Sequence, residues 1–443
     1  MDEPADFQQR YCLQDTDCVR RCPNRRRMVT MVAVKPFRAV RPAQQYIKEV
    51  ASYPYDVIDS REARRLIREN SKSFLRIVKA GADSPDDIAV DCEEVYQRAR
   101  ENLYAFLSEG TLFQDEKEHF YVYRQGMGDH VQYGVVGCVN AADYESGVIK
   151  RHELTRRDKE ADRTRHIERV NAQTGPIYLT YKASKFIDNT VQEIVAGNPE
   201  YDFTADDGIT HSVWVVDDAT TIEKIRQGFG QLDSLYIADG HHRAAAAAAV
   251  ARKRREEGTG RDGKEEYNHI LAVMFPHDQL MVMDYNRVVR DLGRLDEEEF
   301  IGRVRERFAV SDNFTCRSPQ RQGEFGMYLK GRWYGLQAGE QKLNEDDPIA
   351  ALDVSLLQNN LLRPVLGIDD PRADERLLFV GGMRGMDELE RLVDSGEFAV
   401  AFSLFPTTID QLMNVADRGK VMPPKSTWFE PKLRSGIFVH LLD

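Results

Sequence analysis

The stretch Leu235-Tyr236-Ile237-Ala238-Asp239-Gly240-His241-His242-Arg243, followed by six alanines from Ala244 to Ala249, decides how the middle of this chain folds. Its first four residues have the composition of a short buried strand. Alanine has the highest helix propensity, so the residues after Arg243 predict a helix. The pattern therefore predicts a strand, a tight turn at Asp239–Arg243 and a helix in direct succession.

Hydrophobic periodicity and turn residues predict the elements on either side. A helix is expected to begin at Ser60 and another to cover Glu93–Leu107. Strands at His119–Arg124 and Val131–Val139 predict a hairpin around Gly126–Asp129, since glycine tolerates positive φ. The further predicted elements are a charged helix at Arg156–Arg169, helices at Ala183–Val195, Glu297–Phe308, Ala350–Leu362 and Met386–Ser395, and strands at Ile177–Tyr181, Thr210–Val216, Ile270–Phe275, Leu280–Met283, Leu377–Val380 and Phe398–Leu404.

Length and composition restrict the class of protein. With 443 residues, two or three domains are expected. A content of 42% hydrophobic and 30% charged residues is typical of a soluble globular protein, and no apolar run approaches the roughly 18–20 residues of a membrane span. The net charge of −12 argues against nucleic acid as a partner, because such binders carry a basic face. We therefore expect neither a membrane nor a nucleic-acid partner.

Cysteine usage and the first thirty residues indicate a reduced, cytoplasmic protein. Cys12, Cys18 and Cys22 lie close together but lack the Cys-x-x-Cys pairs of a zinc site. The first thirty residues contain several acidic side chains and no apolar segment, so they do not resemble a targeting signal. We predict a disordered extension over residues 1–30.

The turn Asp239–Arg243 is the strongest candidate for chemistry. A helix N-terminus has unpaired N–H groups and the positive end of the helix dipole, which together favour phosphate. Gly240 lets a ligand approach the backbone, and the three residues after it supply side-chain donors. Asp239 has two possible roles, as a helix cap or as a metal ligand. The alternative for the whole turn is an ordinary N-cap followed by solvated histidines.

His152-Glu153 is the second candidate. A phosphoryl acceptor hydroxyl needs a group that takes its proton, and Glu153 is a candidate general base. The alternative is a solvated pair in a loop. Together with the turn, these residues predict a small-molecule phosphotransferase. The sequence has neither a G-x-x-x-x-G-K-[ST] P-loop nor the H-R-D and D-F-G motifs of protein kinases.

A third candidate is the loop Lys425-Ser426-Thr427, which follows two prolines. Small hydroxyls and a lysine in such a loop suit a carboxylate or a phosphate. The alternative is a surface loop that packs Trp428 and Phe429.

Several motifs together give the chain a family resemblance. Residues 31–443 resemble a large bacterial family of formerly unknown function that is related to free serine kinases and, more distantly, to ParB-type partition proteins. The Asp239–Arg243 turn is the motif most specific to the kinases, and Pro424-Lys425-Ser426-Thr427 the one most specific to the bacterial family. The other matching motifs are Pro36-Phe37-Arg38-Ala39, Pro54-Tyr55-Asp56-Val57-Ile58, His152-Glu153, Asn171-Ala172-Gln173-Thr174-Gly175-Pro176 and Tyr285-Asn286-Arg287.

The resemblance implies a fold and its division into domains. The fold class is α/β, with a ParB-like core at residues 146–300. The elements predicted within residues 31–145 indicate a separate N-terminal α+β domain before this core. A C-terminal α/β portion at residues 301–443 is expected to close over the substrate.

The resemblance also implies an activity and its residues. The reaction is phosphorylation of free L-serine to O-phospho-L-serine for cysteine biosynthesis, with pyrophosphate or ADP as donor and Mg²⁺ as cofactor. Glu153 is implied as the general base, with His152 beside it. The phosphate-binding residues are Asp239, Gly240, His241, His242 and Arg243, with Asp239 also the metal ligand, and the substrate-binding residues are Lys425, Ser426 and Thr427.

Two other classes of function stay open at this point. One is a ParB-like nucleotide-binding switch that regulates a partner. The other is a regulator that binds serine without turnover. Replacement of Glu153 by alanine separates them, because it removes phosphoryl transfer and leaves phosphate binding largely intact.

Overall fold

The computed structural model describes residues 31–83, 92–258, 263–339 and 346–443. Strands and helices both occur throughout these ranges, so the predicted α/β class is confirmed. The predicted extension at residues 1–30, with its three cysteines, lies outside the described residues. Within the described ranges, each helix is too short or too polar to span a bilayer.

Strands are numbered in chain order. They are β1 (Val34–Lys35), β2 (Val40–Pro42), β3 (Leu112–Gln114), β4 (Phe120–Met127), β5 (His130–Asn140), β6 (Ile149–Lys150), β7 (Ala172–Gln173), β8 (Ile177–Tyr181), β9 (Tyr201–Thr204), β10 (Thr210–Val216), β11 (Leu235–Asp239), β12 (His269–Pro276), β13 (Met281–Met283), β14 (Tyr285–Val289), β15 (Ala309–Ser311), β16 (Glu324–Leu329), β17 (Arg332–Gln337), β18 (Leu377–Gly381), β19 (Val400–Leu404), β20 (Trp428–Glu430) and β21 (His440–Leu441).

The α-helices follow the same convention. They are α1 (Ile47–Val50), α2 (Ser60–Glu69), α3 (Leu75–Val78), α4 (Glu93–Ser108), α5 (Ala141–Ser146), α6 (Arg157–Val170), α7 (Lys185–Val195), α8 (Ala219–Phe229), α9 (His241–Glu256), α10 (Glu297–Arg305), α11 (Asp353–Leu357), α12 (Gly385–Asp394) and α13 (Ile409–Asp417).

The predicted local structure largely agrees with these bounds. Helix α2 begins at Ser60 because the Asp59 carboxylate accepts the N–H groups of its first turn. The predicted hairpin is β4–β5, and Gly128 provides the positive φ, 58°, that its turn requires. The helix predicted at Ala350–Leu362 is α-helical only over α11 and continues as a π-helical turn at Gln358–Leu362.

The larger sheet has nine strands, in the order β6-β11-β8-β12-β5-β4-β10-β9, with β1 also paired to β5. Strands β6 and β11 are parallel, as are β8 and β12, and the other neighbours are antiparallel. Strands β4 and β5, from the predicted N-terminal domain, lie in the middle of this sheet. The predicted boundary at residues 145 and 146 therefore does not separate two sheets, because backbone pairing crosses it.

The smaller sheet has six antiparallel strands, in the order β15-β17-β16-β19-β14-β18. Since β14 belongs to it, this sheet begins before the boundary predicted at residue 300. One hydrophobic core joins the two sheets. It contains Tyr121 and Leu271 from the larger sheet and Phe325 and Leu404 from the smaller one, all fully buried.

The C-terminal segment returns to the first half of the molecule. Strand β20 pairs with β13, and β21 pairs with β7. Residues after about 420 therefore lie against elements that are far away in sequence, and this arrangement completes the site described below.

Candidate functional site

The site begins at the carboxyl ends of two neighbouring parallel strands. Strands β6 and β11 pair in parallel, with Ile149 beside Leu235. Because carboxyl ends of parallel strands lie at one edge, the chain leaves both strands toward the same region. His152-Glu153 follows β6 and His241 begins helix α9 after β11. The rings of His152 and His241 are perpendicular, with centroids 4.5 Å apart.

The C-terminal loop joins these two motifs. The backbone N–H of Met422 donates to the His152 carbonyl at 2.8 Å. The three motifs enclose a cavity of about 370 Å³. Its lining residues are Tyr55, Asp56, Val57, His152, Glu153, Asp239, Gly240, His241, His242, Tyr285, Met422, Pro423, Lys425, Ser426, Thr427, Trp428 and Lys432. All the site residues that the sequence predicted line this cavity, with the exception of Arg243.

Gly240 opens the helix that faces the cavity. It has φ 91°, a left-handed conformation that favours glycine, and a Cβ at this position would lie 3.1 Å from Arg243 Nε. Within the part of the chain that the structure describes, no side chain caps α9 at Gly240. The first N–H groups of α9 have no partner within the helix, so the cavity meets a helix N-terminus that suits an anion.

Asp239 is held in place by two donors. Its Oδ1 accepts the Gly240 N–H at 2.7 Å, and its Oδ2 lies 2.9 Å from Lys432 Nζ. Burial acts to raise the pKa of Asp239, but Lys432 and Arg243 outweigh it and hold the pKa below its ordinary value. Each oxygen of Asp239 accepts one donor and Lys432 compensates its charge, so the predicted binding of Mg²⁺ at Asp239 would compete with this pairing.

Glu153 has the environment of a general base. Its side chain is 44% exposed and reaches the cavity. Burial raises the pKa of Glu153, and Asp239 raises it further, against the opposing effect of Lys425. A carboxylate with a raised pKa is a stronger proton acceptor than an ordinary one, so Glu153 is suited to take a proton.

His152 and His241 are buried and neutral. Burial lowers the pKa of His152 to about 4, and burial together with His152 lowers the pKa of His241 well below its ordinary value. At pH 7 neither ring places a positive charge at the start of α9. Among the described residues, His152 Nδ1 and His241 Nε2 are both buried without a hydrogen-bond partner.

His242 and Arg243, the two residues after His241, have different surroundings. His242 lines the cavity, and its Nε2 accepts the backbone N–H of Arg156 at 3.1 Å. Arg243 instead donates to the carbonyl of Pro176 and lines a second cavity of about 30 Å³. Successive residues of an α-helix project about 100° apart, so three in a row do not share one face.

The loop after residue 422 is shaped by its own hydrogen bonds. Lys425 has φ 57°, and its carbonyl accepts from Arg287 Nη2 at 2.9 Å. Lys425 Nζ lies 5.5 Å from the centroid of the Tyr285 ring. The Ser426 hydroxyl donates to the Pro423 carbonyl at 2.6 Å and so stabilises the loop itself. Thr427 lines the cavity.

Sequence reasoning did not assign a role to several lining residues. Tyr55 to Val57 and Tyr285 belong to motifs of the family resemblance, and membership of these motifs is the sequence signal that could have identified them as cavity residues. Lys432 has no local signal. Its Nζ lies 5.0 Å from the centroid of the Trp428 ring as well as beside Asp239.

The fold and the cavity together define a mixed α/β protein with a polar site at the ends of parallel strands. Comparison of the sequence with known families gives a match to the one described as "Protein of unknown function (DUF1015)", over residues 34–355. The chain belongs to this family. No curated protein matches it.

Several solved structures are similar to this chain at low identity. A free serine kinase in complex with AMP is 14% identical, with coverage of 69% of this chain and 92% of that one and a TM-score of 0.35. SbnI with a C-terminal truncation, from Staphylococcus aureus, is 11% identical, with coverage of 69% and 87% and a TM-score of 0.36. A conserved hypothetical protein from Pyrococcus furiosus is 14% identical, with coverage of 69% and 95% and a TM-score of 0.34. TM-scores at this level do not test the ParB-like assignment, which stays a prediction.

Proposed function

We propose that this chain is a small-molecule phosphotransferase that phosphorylates the hydroxyl of free L-serine. One observation carries the proposal. Glu153, a carboxylate with a raised pKa, shares a cavity of about 370 Å³ with the uncapped N-terminus of α9. A proton acceptor and an anion-binding backbone in one cavity are the two requirements of transfer from a phosphate donor to an alcohol.

The donor phosphate is proposed to bind at the start of α9. The N–H groups of the first turn and the helix dipole attract its negative charge, and Gly240 allows close approach. Lys425 and Lys432 also line the cavity and supply positive charge. Pyrophosphate and ADP share the phosphate group that this arrangement recognises.

The acceptor is proposed to bind between Glu153 and the loop that carries Lys425, Ser426 and Thr427. Glu153 takes the hydroxyl proton while the hydroxyl oxygen forms a bond to the transferred phosphorus. The bond from that phosphorus to the bridging oxygen breaks, and phosphate leaves from pyrophosphate or AMP leaves from ADP. The product is O-phospho-L-serine. Its use in cysteine biosynthesis, a cytoplasmic location and a requirement for Mg²⁺ stay predictions.

Phosphorus NMR of the full chain tests the proposal directly. The protein is incubated with L-serine and Mg²⁺ and, in separate tubes, with pyrophosphate, ADP or ATP, and each tube is repeated without Mg²⁺. We expect a phosphoserine resonance with pyrophosphate or ADP, and its disappearance with Glu153→Gln. The matched control is Asp158→Asn, which removes an exposed carboxylate paired with Arg156 outside the cavity.

The same tubes separate the proposal from its alternative. If no donor gives phosphoserine while a nucleotide binds to the protein, the phosphotransferase assignment is wrong and a nucleotide-binding switch is the better account. Hydrolysis of the nucleotide without transfer to serine leads to the same conclusion.

A further inference from the structure

Three side chains have the arrangement of a metal site, and none of them is Asp239, the predicted ligand of Mg²⁺. His152, Glu153 and His241 each offer one ligand atom, and these atoms all lie within 4.8 Å of one another. His152 and Glu153 follow strand β6, and His241 begins α9. We propose that these three residues bind one divalent transition-metal ion, Zn²⁺ by the chemistry of its donors.

A second observation points to a ligand. His152 is 2% exposed, and within the described residues its Nδ1 has no hydrogen-bond partner. His241 is 5% exposed, and its Nδ1 faces Glu153. A buried nitrogen without a partner costs free energy unless something else satisfies it. The two perpendicular rings do not satisfy each other by a hydrogen bond. A metal ion bound by His152 Nδ1 and His241 Nδ1 supplies the partner that His152 Nδ1 lacks, and the ring proton of His241 then resides on Nε2.

The donor set selects the metal. Mg²⁺ prefers oxygen ligands, whereas two imidazole nitrogens with one carboxylate oxygen are a familiar ligand set of Zn²⁺ with an open fourth position. Zn–N bonds of about 2.0–2.1 Å place tetrahedral ligand atoms about 3.3 Å apart. His241 Nδ1 lies 3.8 Å from Glu153 Oε2, so these two ligand atoms must approach by about 0.5 Å to share one tetrahedral ion.

The charges around the cavity are mixed and leave Glu153 available to a cation. Its lining carries two lysines, Lys425 and Lys432, against the three carboxylates of Asp56, Glu153 and Asp239. Lys432 is already paired with Asp239. Lys432 therefore does not compete with a divalent ion for Glu153.

Metal binding should inhibit the proposed reaction. This part of the inference rests on the proposed function, whereas metal binding itself does not. A carboxylate that ligates Zn²⁺ no longer has the same lone pair available for a proton. Metal binding at Glu153 therefore inhibits phosphoryl transfer, and the site regulates the activity. Binding itself does not depend on which reaction the cavity performs.

Titration of the full chain with Co²⁺, followed by competition with Zn²⁺, tests the site. Co²⁺ bound by nitrogen and oxygen ligands absorbs visible light, so binding is read without any activity assay. We expect one equivalent of Co²⁺ that Zn²⁺ displaces, and affinity at least about tenfold weaker in His152→Ala, His241→Ala and Glu153→Gln. The control His242→Ala removes another histidine of the same cavity and should leave affinity unchanged.

Several outcomes are decisive. All variants retain the same six cysteines, so metal bound by thiols is common to them and cancels in the comparison. Circular dichroism checks folding, and Glu153→Gln, at a half-exposed position, keeps the test valid if a histidine variant unfolds. No Co²⁺ spectrum, or equal affinity in all variants, overturns the metal site and leaves the phosphotransferase proposal standing. Co²⁺ binding without phosphoserine in any tube supports the metal site and overturns the proposed function.

Discussion

Lys432 Nζ lies 2.9 Å from Asp239 Oδ2, although 193 positions of the chain separate the two residues. The pair links the C-terminal segment to the end of strand β11, beside the start of α9. It holds the negative charge of Asp239 next to the N–H groups of the turn, and it closes one wall of the cavity. Stability and ligand binding are therefore connected at this pair.

Replacement of Lys432 by methionine should destabilise the protein. Both side chains are largely buried, with 16% of Lys432 and 29% of Asp239 exposed, so the variant leaves a carboxylate without its partner. We expect the free energy of unfolding to fall by about 2 kcal/mol, measured by urea denaturation. The control is Lys253→Met, which removes an exposed pair with Glu168 and should cost less than about 1 kcal/mol. Equal losses in the two variants would contradict this explanation.

The contribution of the same pair should depend on pH at both ends of the scale. The pKa of folded Asp239 lies below 3.8, so its stabilisation is present above that value and is lost as the pH falls through the folded pKa. The pKa of folded Lys432 lies above 10.5, so its stabilisation is present below that value and is lost as the pH rises through the folded pKa. The difference in unfolding free energy between wild type and Lys432→Met should be constant from about pH 5 to pH 9 and shrink below about pH 4. A difference that grows in acid would contradict the ion pair.

The pH profile of the phosphotransferase should report Glu153. Its pKa is raised above 4.5 by burial and by Asp239, so kcat/KM should fall in acid through a pKa above that value. Glu153→Gln should lower kcat by about 10²–10⁴-fold and abolish this fall in acid, the acid limb of the pH profile. Because Lys425 lowers the pKa of Glu153, Lys425→Met should move the limb to higher pH. A limb that does not move would show that another group is the base.

Substitution of Gly240 by alanine should affect both stability and ligand binding. The left-handed conformation costs an L-residue about 1–2 kcal/mol, and the new Cβ meets the Arg243 guanidinium at 3.1 Å. Gly147→Ala is a matched control, since Gly147 has φ 83° and a Cβ added there would meet no described heavy atom within 4 Å. We expect both variants to lose stability, and only Gly240→Ala to bind pyrophosphate more weakly in calorimetry. Equal affinity in the two variants would show that the anion does not approach Gly240.

Local patterns predicted the conformation of the segments that line the cavity. The strand, the turn at Gly240 and the alanine helix were predicted from propensity and glycine chemistry, and all three are observed at β11 and α9. His152-Glu153 and the Lys425 loop were predicted as separate candidates, and both line one cavity with the turn. Each of these signals lies within a few consecutive residues, where residue type determines the local conformation.

Features that depend on pairing over long distances could not be predicted. No local pattern places β4 and β5 in the middle of the larger sheet, because period-two hydrophobicity identifies a strand but not its neighbours. Lys432 was missed for the same reason, since its partner lies 193 positions away. The rotation of the helix directs Arg243 to the Pro176 carbonyl, which its position in the sequence did not predict. Its guanidinium still lies beside Gly240, and its role in phosphate binding stays a prediction.

The hydrogen bond from the Met422 amide to the His152 carbonyl makes assembly of the cavity observable without any substrate. An amide hydrogen exchanges with deuterium only when its hydrogen bond opens. The exchange rate at this single amide therefore measures how often the C-terminal segment leaves the residue next to Glu153. A ligand that contacts both the C-terminal segment and Glu153 must slow the exchange of this amide, whichever reaction the cavity performs.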